Sequence, residues 1–332
     1  MEDSFIFIRN MLKKDLEFSI GETKSISNNL NYIPDNIFDI HTHVFLKDNL
    51  WEDLRDTLYY NEFSFKNLEE ADSKLFKWKK VRNIWFGQPQ KSMEGIRRNN
   101  EYISNNTEDR LMLYNIGGNE KNQIDDLCNN WWKWVKIYWF NNLGVTQNIS
   151  YHMLEALNNK WLPILIHLPN SIIEDINDLK ILLEKFKNIK FIIAHWWNIQ
   201  KCRMNLEWYK KSIIELRKYP NIWFDTSCIN QSEYMKLLLT NFDIDRIYYW
   251  SDFPISLIKW IVLPGKNWDT RIVSEKPIRW INYRISQCIV RNLWLNLEWI
   301  INIQQFNIKL LYENLKDSQK DKIFFDNARY LF

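Results

Sequence analysis

Short apolar runs alternate with amphipathic stretches along most of the chain. Eight of the runs are rich in β-branched and aromatic residues, which fit a pleated and half-buried surface, and we predict that each forms a strand. The predicted strands are 38–43, 81–86, 110–116, 134–140, 162–167, 189–195, 221–226 and 247–252.

Most of these strands are followed by a stretch with helical spacing. In 171–186, for example, Ile172, Ile176, Leu179 and Leu183 recur at intervals of three and four residues and so line one helix face. The predicted helices are 92–104, 150–159, 171–186, 202–218 and 231–240. Strands that alternate with helices indicate parallel β/α units, and eight units predict an α/β fold of the (β/α)8 TIM-barrel type.

Segments outside this alternation are interpreted as additions to the barrel. Residues 1–35 are predicted to be an N-terminal extension, with a helical pattern near its start, and 36–332 the barrel domain. Residues 44–80 interrupt the alternation after the first strand, and we predict an insertion over the barrel mouth. Further helices are expected in 255–332.

Side chains that can bind a metal ion lie at the ends of the predicted strands. His41 and His43 end the first strand at i, i+2 spacing, which turns both imidazoles to the same face. His167, His195 and Asp252 end the fifth, sixth and eighth strands. Because all carboxyl ends of a parallel barrel face one rim, these groups are expected to converge there, and imidazole with carboxylate is a typical divalent-metal ligand set.

An alternative interpretation keeps these residues structural. The spacing His-x-His alone is a weak signal, His167 and His195 could be hydrogen-bonded barrel histidines, and Asp252 before a proline suits a turn. The remaining histidine, His152, lies in a helical pattern and is expected to be a surface or packing residue.

Composition removes several classes of function. The 44 basic and 41 acidic residues leave a net charge of +3, too small to indicate binding to nucleic acid or to a membrane surface. Apolar runs are shorter than a membrane span, and the acidic start lacks the basic region of a signal peptide. The four cysteines are scattered without a Cys-x-x-Cys pair, which is typical of reduced thiols, and a cytoplasmic location is expected.

Several motifs, taken in order, resemble the amidohydrolase superfamily, and specifically its amidohydrolase-related branch with the aminocarboxymuconate-semialdehyde decarboxylase-like enzymes. The matching segments are Phe38-Asp39-Ile40-His41-Thr42-His43, Leu162-Pro163-Ile164-Leu165-Ile166-His167, Phe191-Ile192-Ile193-Ala194-His195, Asn221-Ile222-Trp223-Phe224-Asp225-Thr226-Ser227 and Ser251-Asp252-Phe253-Pro254. The closing segment 323–332 resembles the terminal helix of the family, so the resemblance covers roughly 36–332.

The resemblance implies one divalent metal per chain, zinc or another transition metal, held by His41, His43, His167 and Asp252. Such a metal lowers the pKa of bound water towards ~7. Asp252 is then expected to act as the general base. His195 would either bind a second metal or donate a hydrogen bond to the developing oxyanion, and the single-metal branch favours the second role.

Lys136, in the fourth predicted strand, has two interpretations. Some members of the superfamily carry a carboxylated lysine at this place that bridges two metals. Otherwise the ammonium would contact a substrate carboxylate or pair with an acid at the rim, because a buried charge without a partner is costly. Asn170, Cys228 and Asn230 follow the fifth and seventh strands and are candidates for lining the substrate pocket.

Three functions remain open. The first is a metal-dependent hydrolase of an amide, ester or lactone, the second is a non-oxidative decarboxylase with the same metal site, and the third is a metal-binding barrel without catalysis. The expected partner is a small-molecule substrate. Exposed aromatic residues in 294–306 could also pair subunits into a homo-oligomer.

The balance of tryptophan and glycine is abnormal. The chain has 18 Trp and 7 Gly, whereas about 7% glycine would give roughly 23 in a chain of this length. Trp161, Trp196, Trp197 and Trp250 stand where the resembling family has glycine or small residues. We hypothesise that many tryptophans are glycine in the native protein, encoded by a reassigned stop codon. The alternative is a tryptophan-rich protein with a crowded rim.

Overall fold

A ring of parallel strands forms the centre of the molecule. The computed structural model describes residues 18–50, 62–114, 116, 118–130, 132–138, 144–168, 171–195, 206–229, 231–264, 270–274, 301–329 and 331. The strands are β1 (Asn36–His43), β2 (Lys80–Phe86), β3 (Leu111–Leu113), β4 (Trp134–Ile137), β5 (Ile164–His167), β6 (Phe191–Ala194), β7 (Ile222–Asp225) and β8 (Ile247–Tyr248).

Helices connect successive strands and cover the outside of the ring. They are α1 (Ile20–Asn29), α2 (Phe65–Leu75), α3 (Met93–Asn106), α4 (Glu120–Asn129), α5 (Val145–Asn148), α6 (Tyr151–Lys160), α7 (Ile172–Lys185), α8 (Leu206–Leu216), α9 (Ser232–Asn241), α10 (Ile303–Asn314), α11 (Asp317–Asp321) and α12 (Asn327–Arg329). No helix within these residues is long and apolar enough to cross a lipid bilayer.

The strand ladders account for the barrel. Strands β3 to β8 form one parallel sheet in sequence order, and β1 pairs with β2 in a parallel sheet. Single parallel bridges join the two sheets on both sides, Trp85 to Arg110 between β2 and β3, and Thr42 to Phe253 between β1 and the segment after β8. The predicted α/β fold of the TIM-barrel type is therefore confirmed.

Alternation along the strands separates two apolar clusters. Side chains that point into the ring, among them Ile40, Leu111, Leu165 and Ile192, form the inner cluster. The intervening side chains pack against the helices in the larger, outer cluster. Because successive residues of a strand alternate between faces, Lys136 shares the inner face of β4 with the buried Trp134. The polar residues at the rim therefore lie next to the apolar inner cluster.

Serine side chains define where several predicted helices begin. Ser92, Ser150 and Ser171 accept hydrogen bonds from the backbone N–H groups of residues three positions later, at 3.1, 3.0 and 3.3 Å. These bonds satisfy N–H groups that have no partner inside the helix. The predictions at 92–104, 150–159 and 171–186 are confirmed to within two residues at either end.

Other parts of the chain differ from the prediction. Helix α1 forms in a stretch interpreted as extension, because Ser19 and Glu22 make a reciprocal capping box although the helix has few apolar residues. Strands β9 (Trp260–Pro264) and β10 (Thr270–Ser274) form an antiparallel pair where only helices were predicted. The helical pattern near the start of the chain lies outside the described residues, and the placement of 44–80 over the mouth stays a prediction.

Two exposed tryptophans adopt a backbone conformation that favours glycine. Trp161 ends α6 with φ 59° and ψ 27°, and its side chain is 68% exposed. Trp78 has φ 68° and is 84% exposed. A left-handed residue with a large Cβ substituent is strained, and an exposed indole recovers little of that cost through packing. These two positions support the hypothesis drawn from the composition.

We expect Trp161→Gly to raise the free energy of unfolding by about 1 kcal/mol, because glycine removes the left-handed strain at the end of α6. Trp223→Gly is the matched control, since Trp223 lies within β7, and we expect that variant to lose roughly 2 kcal/mol. Urea unfolding of both variants measures the two changes. A loss of stability in Trp161→Gly would contradict the strain argument.

Candidate metal centre

Two histidines at the end of β1 converge on one carboxylate oxygen. Nε2 of His41 and Nε2 of His43 each lie 3.2 Å from Oδ1 of Asp252. All three side chains are buried. The backbone fixes the approach, because the N–H of Asp252 donates to the carbonyl of His41 at 2.9 Å and the N–H of His43 donates to the carbonyl of Phe253 at 2.8 Å.

Hydrogen bonds on the far side of each ring determine which nitrogen carries the proton. Nδ1 of His43 lies 3.0 Å from the carbonyl oxygen of Gly87, which can only accept, so Nδ1 holds the proton. Nδ1 of His41 lies 3.1 Å from Oδ2 of Asp225 and donates in the same way. Burial, with Lys136 nearby, also holds the pKa of His41 well below its usual value. Both Nε2 atoms therefore present lone pairs to Asp252.

Asp252 is suited to remain ionised between these rings. Burial alone would raise the pKa of Asp252, but the neighbouring His195 and His43 and the charge of Lys136 together hold it below the usual value. The carboxylate oxygen lies 3.2 Å from each of the two imidazole nitrogens, and its charge and their lone pairs repel unless a cation or proton lies between them. The set fits a divalent cation.

The second oxygen of Asp252 faces two further groups. Nε2 of His195 lies 3.4 Å from Oδ2, and the thiol of Cys228 donates to Oδ2 at 3.2 Å. Ser227 donates to Asp225 at 2.6 Å, so its oxygen accepts from Nδ1 of His195 at 2.9 Å. Burial lowers the pKa of His195 to about 4, so the ring is neutral and its lone pair lies on Nε2.

Backbone strain is concentrated at the same place. His195, Cys228 and Asp252 have φ values of 48°, 56° and 60°. Each such residue costs about 1–3 kcal/mol and persists only where the surrounding structure holds it, which is typical of functional sites. The strain allows three short segments after β6, β7 and β8 to turn their side chains towards one point.

Lys136 lies inside the ring beside His41. Its Nζ is 3.4 Å from Nε2 of His41, and the side chain is buried. Burial lowers the pKa of Lys136 to about 8, although the carboxylates of Asp252 and Asp225 oppose that shift. The ammonium group of Lys136 therefore faces the Nε2 lone pair of His41, and it loses its proton more easily than an exposed lysine does.

The predicted site residues divide into three groups. The structure brings His41, His43 and Asp252 together, and it places His195 and Cys228 against the other side of Asp252. The ring of His167 lies 5.3 Å from that of His195 but its nitrogens are not within the cluster, so its role as a ligand stays a prediction. His152 is exposed, as expected. Asn170 and Asn230 lie outside the described residues.

The sequence interpretation assigned no role to two supporting acids, Asp225 and Asp39. Asp225 receives hydrogen bonds from His41, Ser227 and the backbone N–H of His195. Burial raises the pKa of Asp225 to about 8, and these hydrogen bonds oppose the shift. Asp39 accepts from the backbone N–H groups of His41 and Ser251 at 3.2 and 3.1 Å. The signal available in the sequence was an acidic residue within or at the end of a buried strand, Asp39 in β1 and Asp225 in β7.

We expect Asp39→Ala to lower the free energy of unfolding by about 3 kcal/mol, because two buried N–H groups next to the metal centre lose their acceptor. Asp35→Ala is the control, since the Asp35 side chain is 88% exposed and pairs with Lys79 at the surface, and a change within about 1 kcal/mol is expected there. Urea unfolding compares the two. Equal effects of both substitutions would show that Asp39 does not hold the segment before Asp252.

Solved structures with the same fold are distant in sequence. An amidohydrolase 2 from Bifidobacterium longum subsp. infantis is 11% identical, with a TM-score of 0.54 over 90% of this chain and 98% of that chain. A 5-carboxyvanillate decarboxylase from Sphingomonas paucimobilis is 10% identical, with a TM-score of 0.51 over 90% and 99%. A 2,6-dihydroxybenzoate decarboxylase from Rhizobium is 11% identical, with a TM-score of 0.54 over 90% and 98%. These likenesses support the fold.

Family membership comes from the sequence itself. No curated protein matches this chain. The sequence model of the amidohydrolase family matches residues 123–332, which is well over half of the chain and includes His167, His195 and Asp252. The chain therefore belongs to the amidohydrolase family.

Proposed function

We propose that this protein is a metal-dependent hydrolase that cleaves an amide, ester or lactone bond of a small molecule. The amidohydrolase family consists of metal-dependent enzymes and includes both hydrolases and decarboxylases. The observation that carries the proposal is the convergence of two imidazole lone pairs on Oδ1 of the ionised Asp252. His167 is the proposed fourth ligand, since its Nδ1 is buried and has no hydrogen-bond partner among the residues that the structure describes.

A divalent cation held by these residues would act as a Lewis acid and would lower the pKa of a water molecule towards ~7. Zinc suits nitrogen and oxygen donors, and one ion per chain is proposed. Asp225 and the carbonyl of Gly87 accept hydrogen bonds from Nδ1 of His41 and of His43, so the Nε2 atoms of both histidines are available as ligands of that cation. In metal centres, a histidine that binds the metal commonly donates a hydrogen bond from its other ring nitrogen to a carboxylate or a backbone carbonyl.

Asp252 is the proposed general base. Its Oδ2 points away from the two histidines of β1, so it can accept a proton from the attacking water while Oδ1 stays with the ligand set. His195 is the proposed second catalytic residue, because its Nε2 lone pair lies 3.4 Å from Oδ2. It can take the proton from Asp252 and deliver it to the leaving group, a role that its neutral tautomer allows.

Lys136 favours decarboxylation as the second candidate reaction. A decarboxylase must hold a substrate carboxylate near the metal, and a buried ammonium 3.4 Å from His41 is a suitable partner for it. Two of the similar proteins compared above are decarboxylases. Carboxylation of Lys136 would remove this cation and favour a hydrolase with two metals.

Metal content and turnover test the proposal together. Protein purified without added metal should contain about one equivalent of zinc or another divalent ion, and Asp252→Ala should hold it weakly. Asp245→Ala is the control, because Asp245 is exposed and pairs with Lys322 at the surface. Amide, ester and lactone substrates are then compared with aromatic carboxylic acids for hydrolysis and for release of carbon dioxide.

Each result has a defined meaning. Hydrolysis that depends on the metal supports the main proposal, whereas carbon dioxide release favours the decarboxylase. Metal binding without turnover on either set would indicate a non-catalytic barrel. If wild-type protein holds no divalent ion even after zinc is supplied, the metal centre itself is refuted.

A further inference from the structure

Two donor sets meet at Asp252 from opposite sides. The first set, His41 and His43, faces Oδ1, and His195 and Cys228 face Oδ2. In the second set, one ligand atom each from His195, Cys228 and Asp252 lie within 4.8 Å of one another. We propose that His195, Cys228 and Asp252 form a second cation site with a thiolate ligand, which takes a thiophilic divalent ion such as zinc, cobalt or cadmium.

The donor atoms are oriented for such an ion. The hydroxyl oxygen of Ser227 accepts a hydrogen bond from Nδ1–H of His195 at 2.9 Å, and this leaves the Nε2 lone pair directed at Oδ2 of Asp252. The sulfur of Cys228 is buried and already lies 3.2 Å from the same oxygen. Sulfur, nitrogen and oxygen donors in one cluster match the ligand preferences of zinc and its thiophilic relatives.

The backbone gives independent support. Among the non-glycine residues that the structure describes, five have a left-handed backbone, and they are Trp78, Trp161, His195, Cys228 and Asp252. Apart from the two exposed tryptophans, the strained positions are the three donors of this cluster. A shared ligand explains why all three segments turn inwards.

The geometry also assigns Asp252 a bridging role. Because its two oxygens face different donor sets, the carboxylate can bind one cation through Oδ1 and another through Oδ2, as in two-metal sites. Binding breaks the S–H bond of Cys228, whose proton passes to solvent, and forms a sulfur–metal bond in its place. One proton is therefore released for each cation bound at this site.

This inference rests on the proposed function only through Asp252, the shared ligand. It gives His195 a second role, since the same lone pair that receives a proton in the single-metal enzyme would bind the second ion. Lys136 is not a ligand in this arrangement, which distinguishes it from a centre bridged by a carboxylated lysine.

Titration of the metal-free full chain with cobalt(II) tests the inference. Wild-type protein should bind two equivalents, and a thiolate-to-cobalt charge-transfer band in the near ultraviolet should grow with the second. Cys228→Ser should lose the band and the second equivalent while it keeps the first. Cys128→Ser is the matched control, because Cys128 is an exposed free cysteine, and it should behave as wild type.

Separate variants distinguish this inference from the proposed function. His43→Ala should weaken the first equivalent at least tenfold and leave the charge-transfer band in place. A wild-type protein that binds one equivalent without the band overturns the second site and leaves the hydrolase proposal intact. A band that persists in Cys228→Ser also overturns it, since another thiol would be the ligand. Circular dichroism of each variant confirms that the fold is retained.

Discussion

Asp252→Asn is expected to lower kcat by about 10³-fold, in the range typical of a lost general base. The amide keeps the size of the carboxylate but cannot accept the proton of the attacking water. It also replaces a charged oxygen that lies 3.2 Å from both histidines of β1. Steady-state rates on the best substrate from the panel measure the effect, with Asp245→Asn as the exposed control.

Metal content separates the two functions of Asp252 in this experiment. If the variant, saturated with metal, remains inactive, the loss belongs to proton transfer. If added metal restores the rate, Asp252 acts as a ligand and another group is the base. A metal-loaded Asp252→Asn enzyme within about tenfold of wild type would remove Asp252 from the catalytic step.

Protein isolated from its native host is expected to contain glycine at positions written as tryptophan, including 161 and 250. The left-handed backbone at 161 favours glycine. Trp250 is buried edge-on to the ring of His41 at 5.3 Å, and its indole N–H has no hydrogen-bond partner in the described part of the chain, so removal of the indole would free space beside the metal centre. Peptide mass spectrometry reads each position directly.

The expected result is a large loss of mass and of near-ultraviolet absorbance relative to a chain with 18 tryptophans. Trp223 is expected to remain, because its side chain packs within β7. Tryptophan at 161, 196 and 250 in the native peptides would refute the hypothesis. In that case the protein is simply rich in tryptophan, and its rim is crowded by indoles.

Strand order and the meeting of the main side chains could be predicted from sequence. Residues i and i+2 of a strand share a face, and the carboxyl ends of parallel strands share a rim, so His41, His43 and Asp252 had to come close. These rules depend only on local geometry and on the number of β/α units. They gave the eight strands in order, although each strand from β3 to β8 is shorter than predicted.

The supporting contacts could not be predicted in the same way. Asp225 accepts hydrogen bonds from Nδ1 of His41 and from the backbone N–H of His195, and no sequence pattern records which acid receives these bonds. Left-handed turns at His195 and Cys228 were also hidden, because neither residue type signals such a conformation. The β9–β10 pair was missed since its apolar residues fit a helix or a strand equally well.

The seam between β1 and the segment after β8 has a consequence for how the protein unfolds. There the ring is closed by the Thr42–Phe253 bridge and by backbone hydrogen bonds of His41, His43 and Asp252, the same residues that would hold the cation. A bound ion would therefore link the two sides of this junction. Any ligand that binds only the folded state stabilises that state. The amide hydrogens at this seam would therefore exchange with solvent most readily in metal-free protein. When metal is scarce, local opening of the barrel at this seam would be the first effect on the structure.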